Sequence, residues 1–279
     1  MPLALITGAS TGIGEATALR LSRNGWTVLA GVRDAAAADR LAQAAGVIPL
    51  TLDVTSGEEI AQAAERVRAE SNSDGAARLD ALVNNAGIGV GGPLETIDLD
   101  ELRRQFEVNV IGAIAVTQAL LPALREARGR IVFTSSIGGK ISTPFIAPYA
   151  ASKHAIEAFG DALRLELRTS HVRVALIEPG SVTTPIWDKA RAEAQSVEIP
   201  SELQSVYGHV PATMGKAIED TARRGAPPDK VAQTIERALT ARRMKARYPV
   251  GSDARPALVL RRILPDAAFD RILARTLGL

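Results

Sequence analysis

The chain has 279 residues, 46% of them hydrophobic, which is enough apolar material for a sizeable core in one large domain or two small ones. Its 33 basic and 31 acidic side chains leave a formal charge of only +2, so charge gives no reason to expect a nucleic-acid partner. With no cysteine, disulfides and thiolate chemistry are excluded, and His154, His171 and His209 share no metal-ligand spacing, so no metal is expected.

Met1 leads straight into a strand pattern without a basic n-region, and no apolar run is expected to reach the roughly 18 residues of a membrane span; a cytoplasmic location is the expectation. Short apolar runs then alternate with longer amphipathic stretches, the pattern of repeated βα units and a parallel sheet. A first strand is expected at residues 3–6 and a helix at 12–24, joined by Thr7-Gly8-Ala9-Ser10-Thr11-Gly12-Ile13-Gly14. Glycines at such a turn let the backbone approach a pyrophosphate, whose charge is met by N–H groups at the helix N-terminus.

The second strand, 27–31, runs out through Val32 to Arg33 and Asp34, where a dinucleotide fold selects its ribose. The Arg33 guanidinium suits a 2′-phosphate, so NADP(H) is favoured over NAD(H); Asp34 either reads a free 2′-hydroxyl or caps the helix at 35–45. After a strand at 47–50, Asp53 either bonds the adenine or caps the helix at 58–70. The strand at 81–83 ends in Asn84-Asn85-Ala86-Gly87, small residues that permit close passage of a cofactor. In the helix at 99–125, Asn109 has poor helix propensity and marks either a bend or a buried polar anchor.

The strand at 130–134 delivers Ser135 and Ser136 to the carboxyl edge of the sheet, where ligands bind and a hydroxyl can orient a substrate carbonyl. In the helix at 149–169, Tyr149 and Lys153 are four residues apart and project from one side, while Ile156, Phe159 and Leu163 are expected to face the core. A cation beside a phenol stabilises the phenolate, which lets Tyr149 exchange a proton with a substrate oxygen near neutral pH.

A strand at 173–177 follows, then the pattern loosens after Pro185; residues 187–228 are expected to form a substrate lid. A helix at 229–242 and a strand at 246–250 close the sheet edge. The tail, 256–279, alternates arginine with Leu, Ile and Phe at helical spacing. It reads as a helical extension docked on the domain or on another subunit; Arg261, Arg262, Arg271 and Arg275 would also permit peripheral membrane contact. The expected architecture is α/β: one domain over 1–279, a single Rossmann-type doubly wound parallel sheet of about seven strands with helices on both faces.

With these motifs in this order, residues 3–186 resemble the short-chain dehydrogenase/reductase family. Thr7 to Gly14 is similar to its T-G-x-x-x-G-x-G cofactor loop, Asn84 to Gly87 to its N-N-A-G segment, and Tyr149 to Lys153 to its Y-x-x-x-K motif. The spacing from Ser136 to Tyr149 is the family's usual one and selects Ser136 over Ser135. The resemblance implies a catalytic set of Asn109, Ser136, Tyr149 and Lys153. In it Tyr149 is the general acid or base, Lys153 lowers its pKa and holds the nicotinamide ribose, Ser136 fixes the reacting oxygen, and the helix bend at Asn109 positions a water that links Lys153 to solvent.

Implied cofactor contacts are Gly8, Ser10, Thr11, Gly12, Ile13 and Gly14 at the phosphates, and Arg33 as in NADP-preferring members. Asp53 and Val54 would meet the adenine, with Asn85, Ala86 and Gly87 along the cofactor. Pro179, Gly180, Val182 and Thr184 correspond to a loop that contacts the nicotinamide carboxamide. One departure is Thr11, which stands where the family's other basic NADP marker would be.

The implied activity is NAD(P)-dependent hydride transfer to or from an alcohol or ketone. The C-terminal third resembles members acting on steroids, retinoids or other lipophilic alcohols, with Ile137, Pro144, Phe145, Ile146, Ile186 and Trp187 as an apolar pocket wall. The alternatives are a catalytically silent nucleotide-sensing protein on the same fold and an epimerase or dehydratase of the extended branch, which the glycine spacing disfavours. A homodimer or homotetramer is expected through the helices at 99–125 and 149–169.

Overall fold

The computed structural model describes residues 1–71, 77–184 and 199–277. Seven strands form one sheet: β1 (Leu3–Ile6), β2 (Thr27–Val32), β3 (Val47–Thr51), β4 (Ala81–Asn84), β5 (Arg130–Thr134), β6 (Arg173–Pro179) and β7 (Arg247–Val250). Their order is β3-β2-β1-β4-β5-β6-β7, and every pairing is parallel. The strands match the expected ones to within a few residues, because a strand covered on both faces must be apolar throughout.

Alternation along each strand builds two cores. Ala4, Ile6, Val28, Ala30, Val132 and Ile177 point to one face, where they meet α1 (Gly12–Arg23), α2 (Ala35–Ala42) and the helix Pro228–Thr240. Leu5, Leu29, Leu82, Ile131, Phe133 and Leu176 point to the other and meet α3 (Gly57–Glu70), α5 (Ala113–Ala127) and α6 (Ala147–Glu166). The sheet is therefore a doubly wound middle layer. Strand order reverses between β1 and β4, and the crevice outside their carboxyl ends is where such a sheet binds its ligand.

Four expectations need correction. The long helix at 99–125 is interrupted: α4 (Leu99–Phe106) passes through a π-helical turn, Glu107–Gly112, before α5. The continuous run Leu99–Ala127 is also long and apolar enough to cross a membrane, which the sequence reading did not allow for; half of its most apolar stretch is buried inside the molecule. Phe159 does not face the core with Ile156 and the partly buried Leu163 but is 45% exposed. The tail is two helices, Ala254–Ile263 and Asp266–Leu277. Pro265 between them has no N–H to continue the ladder and pushes Leu264 out of helical geometry, to φ −88 and ψ 139.

Of the expected lid, residues 187–198 lie outside the described residues. The remainder carries a short turn, Ser201–Leu203, a helical turn, Gln204–Tyr207, and α7 (Val210–Arg224). The helix Pro228–Thr240 is α8, and the tail helices are α9 (Ala254–Ile263) and α10 (Asp266–Leu277).

Candidate active site

The turn after β1 is shaped by its glycines. Gly8 has φ +64 and lies so close to β4 that a Cβ there would sit 2.7 Å from the Cα of Ala86; Gly12 has φ +62. Thr7 Oγ1 accepts from the backbone N–H groups of Asn85 and Ala86 at 3.0 Å, and Asn85 Nδ2 donates to the carbonyls of Thr7 and Gly8. These bonds tie the ends of β1 and β4 together. Thr11, at the N-cap position of α1, makes no side-chain capping bond. A helix N-terminus left this way beside a tight glycine turn has the form of a phosphate cradle.

At the ribose end the expectations separate. Asp34 caps α2, accepting from Ala37 N–H at 2.7 Å, so its carboxylate is committed to the helix. Asp53 is not a helix cap; Ser56 caps α3. Asp53 instead accepts from Thr55 N–H at 2.9 Å and Thr55 Oγ1 at 2.7 Å, and lies 3.5 Å from Arg33. Burial alone would raise its carboxyl, but the Thr55 bonds and the Arg33 charge outweigh it and hold the pKa low. Val54 is buried against the π turn, where a Cβ on Gly112 would be 2.7 Å from it.

The helix α6 opens at Ala147 with Pro148 in its first turn, which sets Tyr149 and Lys153 on one side of the same cavity. Lys153 is only 6% exposed, and its Nζ donates to the Thr134 carbonyl at 2.8 Å, at the end of β5. Burial brings its pKa down from 10.5 to about 8, against the opposing field of Glu157 one turn further on. Ser136 Oγ accepts from Gly138 N–H at 3.0 Å. Gly138 is the junction of the two hydroxyl-bearing residues: a Cβ there would be 3.3 Å from Tyr149 Cε1 and 3.4 Å from Ser136 Oγ.

Burial raises the Tyr149 phenol above its usual value, and only a hydrogen bond from Ser136 works against this. The Lys153 ammonium is 5.7 Å from the centroid of the phenol ring and spends its short bond on Thr134, so it does not offset the desolvation.

Asn109 is both a bend and an anchor. It lies in the π turn, 2% exposed, where Oδ1 accepts from Ile88 N–H at 2.8 Å and Nδ2 donates to the Ile88 carbonyl at 2.9 Å and to Ser152 Oγ at 3.1 Å. A Cβ on Gly87 would meet Asn109 Oδ1 at 3.3 Å and Lys153 Nζ at 3.7 Å, so the strand end, the π turn and α6 converge at that glycine.

One cavity of about 920 Å³ runs from the glycine turn past Arg33, Asp53 and Val54 to Ser136, Tyr149, Lys153 and Pro179 to Thr184, with Asn109 behind its wall and not among its lining residues. Ile137 and Ile146 line it as expected, whereas Pro144 and Phe145 do not; Phe145 packs edge-on against His209, with ring centroids 6.2 Å apart. Ile186 and Trp187 lie outside the described residues. Ile88, Val108, Ile141 and Thr143 line the cavity without having been singled out, since no local spacing signals which apolar residues the crossovers bring to one mouth. Behind Lys153, Glu157 pairs with Lys140 at 3.0 Å and Arg247 at 2.9 Å, and Arg247 also reaches Glu178, whose carboxyl burial pushes up to about 7.

A glycine cradle at a switch point, opening into a cavity that also holds a buried Lys with a part-buried Tyr and Ser, defines a Rossmann-type nicotinamide-nucleotide oxidoreductase. The comparisons agree. The family described as short chain dehydrogenase matches residues 2–195, and the chain belongs to that family. It is 40% identical over 270 residues, 96% of this chain and 93% of the relative, to the uncharacterized oxidoreductase YbbO of Escherichia coli K12. Identity is 34% over 284 residues, covering 99% of this chain and 98% of the relative, to an NADPH-dependent 3-dehydrocapnine reductase of Ornithobacterium rhinotracheale. It is 35% over 285 residues, 96% and 86% of the two chains, to mouse retinol dehydrogenase 5.

Among solved structures, a Burkholderia phymatum short chain dehydrogenase/reductase in complex with NAD superposes with a TM-score of 0.77 at 27% identity, covering 94% of this chain and 92% of that one. A Burkholderia cenocepacia short chain dehydrogenase in complex with NADP gives 0.74 at 25%, covering 98% and 97%. The protein is thus an NAD(P)-dependent oxidoreductase acting on alcohol or ketone groups. The silent nucleotide-sensing alternative finds no support among these relatives.

Proposed function

We propose that the protein is an NADP(H)-preferring carbonyl reductase or alcohol dehydrogenase for a lipophilic substrate, with Tyr149, Ser136 and Lys153 as its reacting and orienting groups. The observation that carries this is the single cavity in which the Gly138 junction brings the Tyr149 and Ser136 side chains together beneath the glycine cradle. The nicotinamide nucleotide supplies or accepts the hydride. The glycine turn from Gly8 to Gly14 would hold its phosphates, Asn85 to Gly87 and Lys153 its middle, and Pro179 to Thr184 its nicotinamide end. In the reduction direction the substrate oxygen lies between the Tyr149 and Ser136 hydroxyls. As hydride reaches the carbonyl carbon, the Tyr149 O–H bond breaks and the proton goes to that oxygen, while Ser136 steadies the developing charge. A phenol held protonated by burial suits that role. Lys153, with its lowered pKa, is the neighbouring group from which the phenol can be reprotonated.

Preference for NADP(H) rests on Arg33, half exposed at the cavity edge, together with the commitment of Asp34 to its helix cap, which removes the acidic reader of a free ribose. The NADPH-dependent relative points the same way. Lipophilic substrates are supported by the apolar wall of Ile88, Val108, Ile137, Ile141 and Ile146, and by the retinol dehydrogenase relative. Self-association through α6 and the π turn that leads into α5 fits the exposed Ile111, Phe159 and Leu165.

The test is oxidation of NADPH and of NADH against ketones graded in size and hydrophobicity. Turnover is expected with NADPH, rising with substrate hydrophobicity. Tyr149→Phe is expected to lose activity by about a hundredfold or more while still binding nucleotide; retained turnover in that variant overturns the assignment. Arg33→Ala is expected to lose about tenfold in NADPH affinity and little in NADH affinity. Equal affinities before and after that change would reject the phosphate-reading role.

A further inference from the structure

Where the tail begins, Asp253 stands at the N-cap position of α9 but makes no side-chain bond to its own helix. An aspartate there ordinarily accepts from the second or third N–H of the helix. Instead its Oδ2 accepts the backbone N–H of Ser181 at 2.8 Å, across 72 positions of sequence, in the loop that follows β6. Two glycines make room for it: a Cβ on Gly180 would land on the carboxylate, and one on Gly251, at φ +115, would be 2.5 Å from Oδ1. The neighbouring donors of the loop are also tied down, Gly180 N–H to the Val250 carbonyl at 2.8 Å and Thr183 N–H to the Ala226 carbonyl at 2.9 Å. Ala254, fully buried, fixes the root of the helix that presents the aspartate.

We infer that Asp253 is a positioning residue for the loop from Pro179 to Thr184, so that the root of the C-terminal tail is part of the cofactor site. Gly180, Ser181, Val182 and Thr184 line the cavity, and a loop must keep one shape there for its groups to meet a cofactor. The carboxylate pins the loop at its third residue, Ser181, between the anchors at β7 and at Ala226. The inference rests on the proposal that this loop faces the nicotinamide end.

The experiment compares nucleotides with and without that end, on the full chain, by calorimetry: NADPH and NADH against ADP-ribose and its 2′-phosphate. Asp253→Ala is expected to weaken the complete nucleotide about tenfold, the size of one lost hydrogen bond to a charged acceptor, and to leave the matching ADP-ribose within about twofold. Asp253→Asn, which keeps an acceptor for Ser181, is expected to recover most of the loss. Asp253→Glu, too long for the space between Gly180 and Gly251, is expected to behave like the alanine variant and serves in its place should that variant not fold. Equal weakening of both ligand classes, or no change in either, overturns the role of Asp253. A wild-type protein that binds ADP-ribose as tightly as the complete nucleotide overturns instead the placement of the nicotinamide against this loop.

Discussion

Lys153 sets the pH behaviour at the scale of single residues. A buried ammonium whose short bond goes to a neutral carbonyl loses its proton more easily than one in water, and here its pKa falls to about 8 from 10.5. Its folded pKa is depressed, so the charged form costs stability below about 8, and that cost is absent above 10.5, where the amine is neutral in both states. For catalysis, the proton source beside Tyr149 disappears as pH rises through about 8. The kcat/KM for ketone reduction is therefore expected to fall on an alkaline limb near that value. Glu157 is the group whose field holds the ammonium up; Lys140, Arg247 and Glu178 crowd the same carboxylate from other elements. Replacing it by glutamine should move the limb to lower pH, as a pH–rate profile of Glu157→Gln would read; an unmoved limb would separate Glu157 from Lys153.

Among elements, the π turn matters most. An α-helix with one residue too many per turn is locally poorer in hydrogen bonds, and it persists here because Asn109 repays the distortion with three side-chain bonds, two to Ile88 and one to Ser152. Those bonds knit β4's exit, the π turn and α6 at the point where Lys153 emerges. Asn109→Ala leaves the part-buried Ile88 N–H without its partner, while the Ile88 carbonyl keeps Gln105 Nε2 at 2.6 Å, at a cost of about 1 kcal/mol. Chemical denaturation is the direct measure, and a variant as stable as the parent would mean that water replaces the amide without loss.

For the whole molecule, the same helices that build the site also leave an unfinished surface. α5 and α6 bury one face in the core, while Ile111, in the π turn before α5, is 51% exposed, and Phe159 and Leu165 on α6 are 45% and 61% exposed. Burying such side chains against a second copy contributes about 25 cal/mol per Å² of apolar area, the usual driving force for a symmetric dimer. Light scattering is expected to give a mass of at least twice 29.4 kDa for the parent. Phe159→Glu should shift it toward the monomer without changing the far-UV circular dichroism; a parent already monomeric at micromolar concentration would refute self-association through this face.

Sequence alone determined what depends on local chemistry and on order along the chain. Apolar runs flanked by turn residues located all seven strands, since a strand buried on both faces has no other composition available. Gly8 to Gly14, Tyr149 and Lys153 were legible because a phosphate turn and an i, i+4 pair are themselves local patterns. Tertiary structure decided what depends on distant parts meeting. It committed Asp34 to a cap and Asp53 to Thr55 and Arg33, turned Phe159 outward, raised the Tyr149 phenol by burial, and carried Asp253 to Ser181. Desolvation and long-range hydrogen bonds have no period in sequence; they exist only once the sheet has gathered its carboxyl ends around one cavity.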